Sequence, residues 1–223
     1  MIVFFATTVK EIRELARVSS ACRRTTMAVP KLILASTSPY RRELLARLRL
    51  PFEAMSPGVD ETPRAGEGPA ALAVRLAEAK AHAVAARHPD AIVIGGDQVA
   101  VLDGRALSKP ETHANAVAQL RAMRGRRVTF LTAVAVERGA SAETRARLVP
   151  CEVQFRAFAE AAIEPYLRAD RPYDCAGSAK IDSLGIALVE RLDGDDPTAL
   201  VGLPLIALVT MLGELGLDVL RPA

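Results

Sequence analysis

The chain has 223 residues, half of them apolar and a quarter charged, enough for one large domain or two small lobes with an adequate core. No apolar run approaches the ~18 residues that a membrane span needs, and a formal charge of +3 is too small to mark a nucleic-acid surface. Three cysteines without CxxC spacing argue for free thiols in a reducing, cytoplasmic setting, and three histidines argue against a His-rich zinc site. Any metal here is expected on carboxylate oxygens, which favours magnesium or manganese.

Residues 1–27 read as an extension, through an upstream start or a loosely attached segment. Ile2 to Phe5 is apolar, but no basic segment precedes it and no long apolar run follows, unlike a secretory signal. The functional domain is expected over residues 28–223. Lys31–Ala35 predicts a buried strand. Ser38-Pro39 then opens a helix, Ser38 as N-cap and Pro39 in its first position, running to about Leu48. Phe52 to Met55 predicts a short strand, and the Pro- and Gly-rich run from Asp60 to Gly68 a loop. Pro69 to Arg87 predicts a long helix with Leu72, Leu76, Ala79 and Ala83 on one face.

Ala91–Gly95 reads as a further buried strand, and Asp103-Gly104 as a hairpin turn after Val99 to Leu102. Thr112 caps a helix that ends near Arg124-Gly125. Val128 to Val136 and Leu148 to Phe158 predict long strands joined by a polar loop around Gly139 to Glu143. A helix from Glu160 to Ala169, a strand from Ile186 to Arg191 and a helix from Pro204 to Leu215 complete the chain. This alternation predicts an α/β protein with a mixed sheet, its middle strands paired as hairpins.

Several segments suit phosphate chemistry together better than singly. Ser36, Ser38 and Arg41 stand where a buried strand turns into a helix, and free N–H groups at a helix start attract anions. The chain lacks the GxxxxGK[ST] phosphate loop. Gly95-Gly96-Asp97-Gln98 is read as the end of a buried strand, where glycines admit a ligand and Asp97 suits a metal ligand or a base. Asp60-Glu61, Lys80 and Lys109 singly suit surface charges. Together, acidic positions for a metal and lysines for phosphate suit phosphoryl transfer. Asp174 to Asp182 has the small residues of a loop that closes on a ligand, whereas Val201-Gly202-Leu203-Pro204-Leu205 reads as a tight turn into the last helix.

Leu34-Ala-Ser-Thr-Ser-Pro-Tyr-Arg-Arg-Glu-Leu-Leu45, Val59-Asp-Glu-Thr62, Gly95-Gly-Asp-Gln-Val99, Ser108-Lys-Pro-Glu-Thr112, Asp174-Cys-Ala-Gly-Ser-Ala-Lys180 and Leu200-Val-Gly-Leu-Pro-Leu205 stand in register. This set resembles the Maf family of nucleotide pyrophosphatases, over Lys31 to Leu217. The resemblance implies an elongated, two-lobed α/β fold with a central cleft, like that of the inosine-triphosphate pyrophosphatases. It implies cleavage of a nucleoside triphosphate between its α- and β-phosphates with a divalent cation, and it allows a homodimer. Asp97 falls on the position of the proton acceptor, and Ser36, Ser38, Arg41, Glu61, Lys80 and Lys109 fall on polar positions that line the cleft; the cation is expected on Glu61 and Asp97 or on substrate oxygens.

Tyr40, Gln98 and Asp182 match positions that set base specificity, and Tyr40 with Gln98 resembles the 7-methyl-GTP branch. A paired acceptor such as Asp182 suits the guanine N1–H and N2–H donors, and a tyrosine face suits a purine made cationic by N7 methylation. The chain departs from that branch at Asp182, where glutamate is usual, at Ala179, where phenylalanine is usual, and at Ser108, where glycine is usual. The same motifs also admit a dTTP or UTP pyrophosphatase, or a nucleotide-binding regulator of septum formation without turnover.

Overall fold

The computed structural model describes residues 30–139 and 143–221; the expected extension, residues 1–27, lies outside them, as does the tip of the loop after Gly139. Among the described residues seven strands, β1 (Lys31–Leu34), β2 (Glu53–Ala54), β3 (Ala91–Leu102), β4 (Arg105–Leu107), β5 (Arg127–Arg138), β6 (Glu143–Phe155) and β7 (Val189–Asp193), form one mixed sheet. Its order is β2-β1-β3-β5-β6-β7, with β4 also on β3. The helices are α1 (Pro39–Ala46), α2 (Pro69–Ala85), α3 (His113–Met123), α4 (Ile163–Asp170) and α5 (Leu205–Glu214).

The local chemistry explains most boundaries. Ser38 accepts from the Arg41 N–H and caps α1, with Pro39 in the first turn, while Thr112 accepts from the Asn115 N–H and caps α3. Asp103 and Gly104 both take positive φ, 51° and 75°, the conformation a two-residue hairpin turn needs. The hairpin then adds β4, a strand the sequence did not announce. β7 lies at Val189–Asp193 rather than Ile186–Arg191, because Leu184–Leu188 winds into a 3-10 turn first.

The main correction concerns β3. It does not end at Gly95 but runs for 12 residues, so Asp97 lies in mid-strand. One edge of β3 is paired to β5 from Ile92 to Val101. The other edge is paired to β1 only as far as Ile94, and to β4 only from Ala100. Residues 95–99 therefore have no strand on that edge, and the gap sits just beyond the carboxyl end of the parallel β1–β3 pair. Ligands gather at that place in open α/β sheets.

Alternation along β3 and β5 distributes the core. Ile92, Ile94, Val134 and Val136 point to the face covered by α1 and α5, and Val93, Ala133 and Ala135 to the face covered by α2. The far halves of the same strands, with Ala100, Leu102, Val128 and Phe130, build a separate core with α3 and α4. Two lobes thus share the long strands.

Helix α2 buries Leu72 and Leu76 of the predicted face together with Ala73, Ala77, Lys80, Ala81 and Val84, and leaves Ala79 and Ala83 only partly covered, a partial rotation from the predicted face. Its cause is close packing on a glycine. A Cβ at Gly95 would overlap the Ala77 carbonyl oxygen and lie 2.7 Å from the Ala81 nitrogen. Helix and strand touch backbone to backbone, which only small residues permit. Gly95→Ala must separate α2 from β3 and should cost about 2 kcal/mol or more, lowering Tm by about 5 °C or more. Gly213→Ala, on the open side of α5 with nothing within 4 Å, should leave Tm unchanged or slightly raised. Thermal melts of both variants check this, and a wild-type Tm for Gly95→Ala would contradict the packing.

Candidate active site

The gap on β3 opens into a cleft of about 930 Å³. All of Ser36, Ser38, Tyr40, Arg41, Glu61, Lys80, Asp97, Gln98, Lys109 and Asp182 line it. They come from the turn after β1, α1, the loop before α2, α2, β3, the segment after β4 and the loop before β7.

At its centre Lys80 Nζ lies 2.7 Å from Glu61 Oε1 and 2.8 Å from Asp97 Oδ1. Lys80 was expected to be unremarkable alone, a surface charge on a helix, yet its side chain is only 6% exposed. Close packing of α2 on Gly95 brings it there: Lys80 is three residues after Ala77, and Asp97 two after Gly95. Asp97 is 10% exposed and Glu61 55%, so the buried ammonium is balanced by one interior carboxylate and one at the rim. Burial pushes the Asp97 carboxyl above its ordinary range; Lys80 and Arg41 pull it down without cancelling, and Glu61 adds to the rise. Desolvation works in the same direction on Glu61, but there Lys80, Lys109 and Arg41 outweigh it and the net shift is downward. Lys80 satisfies Asp97 Oδ1, and nothing among the described residues donates to Oδ2.

The α1 end supplies donors. Ser36 Oγ accepts from the Ser38 N–H at 3.1 Å, and Ser38 Oγ accepts from the Arg41 N–H at 3.4 Å. Both hydroxyls thus accept from protein, which leaves their own protons for a ligand. Arg41 Nε donates to the Gly202 carbonyl at 2.8 Å. The guanidinium lies across Gly96, where a Cβ would come within 3.4 Å of Nε. Gly95 therefore serves the helix on one face and Gly96 the arginine on the other.

The Gly202 segment is more than the turn expected of it. Its Ala199 and Leu200 carbonyls accept from Gln98 Nε2 at 2.9 and 3.1 Å, as Thr132 Oγ1 does at 2.9 Å. Thr132 gives its own proton to the Ala199 carbonyl. All three partners are therefore acceptors, and this fixes the Gln98 amide with its nitrogen inward and its carbonyl oxygen to the cleft. Sequence reading missed this anchor; the signal available was Thr132, a fully buried hydroxyl in the apolar middle of β5.

A second charged group stands apart from the first. Lys180 Nζ sits 5.4 Å from the centre of the Tyr40 ring. Cys175 Sγ lies 3.9 Å from Tyr40 Oη and 3.5 Å from Asp174 Oδ1. Burial first, then Asp174, raises the Cys175 thiol to about 12, so it is a protonated, unreactive group. The sequence reading reserved the tyrosine face for a cationic base; in the structure Lys180 already lies over that ring.

The family model described as Maf-like protein matches residues 31–215. The 7-methyl-GTP pyrophosphatase of Albidiferax ferrireducens is 60% identical over 190 residues, covering 85% of this chain and 96% of its own. That of Bordetella pertussis is 59% identical over 189 residues, covering 85% and 94%. That of Methylobacillus flagellatus is 55% identical over 192 residues, covering 86% and 100%.

Two opposed influences act on Asp97, and they can be separated. By carboxyl-carbon NMR, Asp97 should titrate above the ordinary 3.8. In Lys80→Met the midpoint should move further up, because burial stays while the nearest cation is gone. A midpoint that stays put or falls in that variant would show that Lys80 does not hold the carboxylate.

Proposed function

This chain belongs to the Maf-like protein family, and on that premise we propose that it is a nucleoside triphosphate pyrophosphatase whose substrate is 7-methyl-GTP. The observation that supports the chemistry best is the Lys80 ammonium held between Glu61 and Asp97 with Asp97 Oδ2 unengaged.

The triphosphate lies between the α1 end and Lys80. Ser36 and Ser38 donate their free hydroxyl protons to it, and Arg41, Lys80 and Lys109 offset its charge. Lys80 uses two of its three protons on carboxylates and directs the third to phosphate oxygen. Asp97 Oδ2 accepts a hydrogen bond from water and takes its proton as the water oxygen attacks the α-phosphorus. The bond from that phosphorus to the α–β bridging oxygen breaks, and its electron pair leaves with pyrophosphate. The other product is 7-methyl-GMP. Raised basicity in Asp97 serves this step, since a carboxylate of ordinary strength is a poor base.

Among the described residues, no three His, Cys, Asp or Glu side chains meet as a metal cage. Two carboxylates around a cleft suit a hard cation, magnesium or manganese, which Glu61 and the Lys80-bound Oδ1 of Asp97 would hold, with water and substrate phosphate as its other ligands and Oδ2 left to the attacking water. When bound, that cation offsets triphosphate charge and polarises the α-phosphate. At the base end, Asp182 and the Gln98 carbonyl oxygen supply acceptors for the guanine N1–H and N2–H donors. We place the enzyme in the cytoplasm, a setting that suits the free thiols of Cys151 and Cys175.

Hydrolysis of 7-methyl-GTP in oxygen-18 water should put the label in the monophosphate, and Asp97→Asn should slow turnover at least ~100-fold while nucleotide binding survives. Label in pyrophosphate would move the attack to the β-phosphorus. A variant as fast as wild type would remove Asp97 from the base role.

A further inference from the structure

Among the described residues that line the cleft, Lys180 is the cation that the proposed chemistry leaves without work. It is absent from the group around Lys80, and among the described residues no carboxylate lies within ion-pair distance of it. Its nearest partner is the neutral Tyr40, through ring and hydroxyl. A half-buried ammonium facing a cleft without a counter-ion is a donor awaiting an acceptor.

The backbone around it is fixed. The Lys180 N–H donates to Tyr166 Oη at 3.0 Å, and its carbonyl accepts from the Ser183 N–H at 3.1 Å. Asp170 ties the following turn through Ser183 Oγ at 2.5 Å and the Gly185 N–H at 3.2 Å. A Cβ at Gly185 would overlap the Lys180 carbonyl. The turn therefore presents Lys180 and Asp182 to the same cleft as a cation and an anion two residues apart.

Guanine carries a matching pattern on one edge: the O6 acceptor beside the N1–H and N2–H donors. We infer that Lys180 is a specificity-determining residue that donates to the 6-oxo oxygen of the purine while Asp182 accepts from N1–H and N2–H. This rests on the 7-methyl-GTP reading. N7 methylation removes the neighbouring N7 acceptor and leaves O6 as the acceptor on that edge, while the charge it adds to the ring makes the bond from the ammonium weaker for 7-methyl-GTP than for GTP. Adenine presents an amino group there and meets Lys180 donor to donor, so the same residue excludes ATP.

The test removes the charge and the oxygen in turn. Lys180→Met keeps length and apolar stem, and the fixed backbone does not depend on the ammonium. kcat/KM is measured for 7-methyl-GTP, GTP and 6-thio-GTP, which keeps the N1–H and N2–H donors and replaces only the 6-oxo oxygen by a weakly accepting sulfur. Wild type should prefer GTP to 6-thio-GTP by about fivefold or more, the scale for a weakened hydrogen bond to a charged group. Lys180→Met should lose most of that preference, with GTP slowed at least about fivefold and 6-thio-GTP within about twofold of wild type. That retained activity also reports an intact phosphate site. An equal loss on all three, or no loss on any, would overturn the assignment of Lys180. Should wild type fail to hydrolyse 7-methyl-GTP while turning over other nucleotides, the substrate reading falls, and the Lys180 assignment with it.

Discussion

An ammonium buried between two carboxylates sets the terms for the rest of this molecule. Lys80, 6% exposed, is tolerable in the interior only because Asp97 and Glu61 accept from it at 2.8 and 2.7 Å. Deleting one partner of such a group leaves an uncompensated charge, at a typical cost of about 3–5 kcal/mol. Glu61 is half-exposed, so the greater part of that dependence falls on Asp97. The arrangement favours function over stability. The same burial that makes Lys80 and Asp97 expensive gives Asp97 its raised basicity and makes Lys80 a strong charge at short range.

The scaffold holds that group by backbone rather than by side chains. Helix α2 touches β3 at Gly95, and Arg41 crosses β3 at Gly96. Adjacent glycines on opposite faces of one strand thus locate the lysine on one side and the arginine on the other. The segment from Asp196 to Leu205 completes the frame. Buried Asp196 accepts from the Thr198 N–H and hydroxyl at 3.0 and 2.6 Å and from the Ile206 N–H at 2.8 Å. Thr198 Oγ1 in turn accepts from the Leu205 N–H. This closes a loop whose outward carbonyls fix Arg41 and Gln98. The two ends of the cleft are therefore tied to one rigid turn.

Much of this could be read in the sequence, and the limits have physical causes. Local signals were legible: Ser38 and Thr112 as caps, Asp103-Gly104 as a hairpin, and the apolar run from Val128 to Val136 as β5. The site residues were legible through the motifs they belong to, because each alone is an ordinary polar side chain. What stayed hidden depends on contacts far apart in sequence. Lys80 looked solvated because an alanine-rich helix has a weak apolar face, and its rotation is set by Gly95 rather than by its own pattern. β3 looked shorter because Gly-Gly-Asp-Gln breaks the apolar run, although pairing to β5 carries the strand straight through. Main-chain acceptors such as Gly202 leave no mark in sequence at all, and Lys180 over Tyr40 joins residues 140 positions apart.

The central claim is that the Lys80 group marks the reacting phosphorus and the Lys180 turn marks the base. A structure of the protein with magnesium and a non-hydrolysable α,β-methylene analogue of 7-methyl-GTP tests both ends at once. The account places a water within about 2.6–3.2 Å of Asp97 Oδ2, in line with the α-phosphorus and the bridging methylene, and the purine edge beside Lys180 and Asp182. An α-phosphorus remote from Asp97, or a nucleotide bound in the reverse direction with its triphosphate against Lys180, would contradict it.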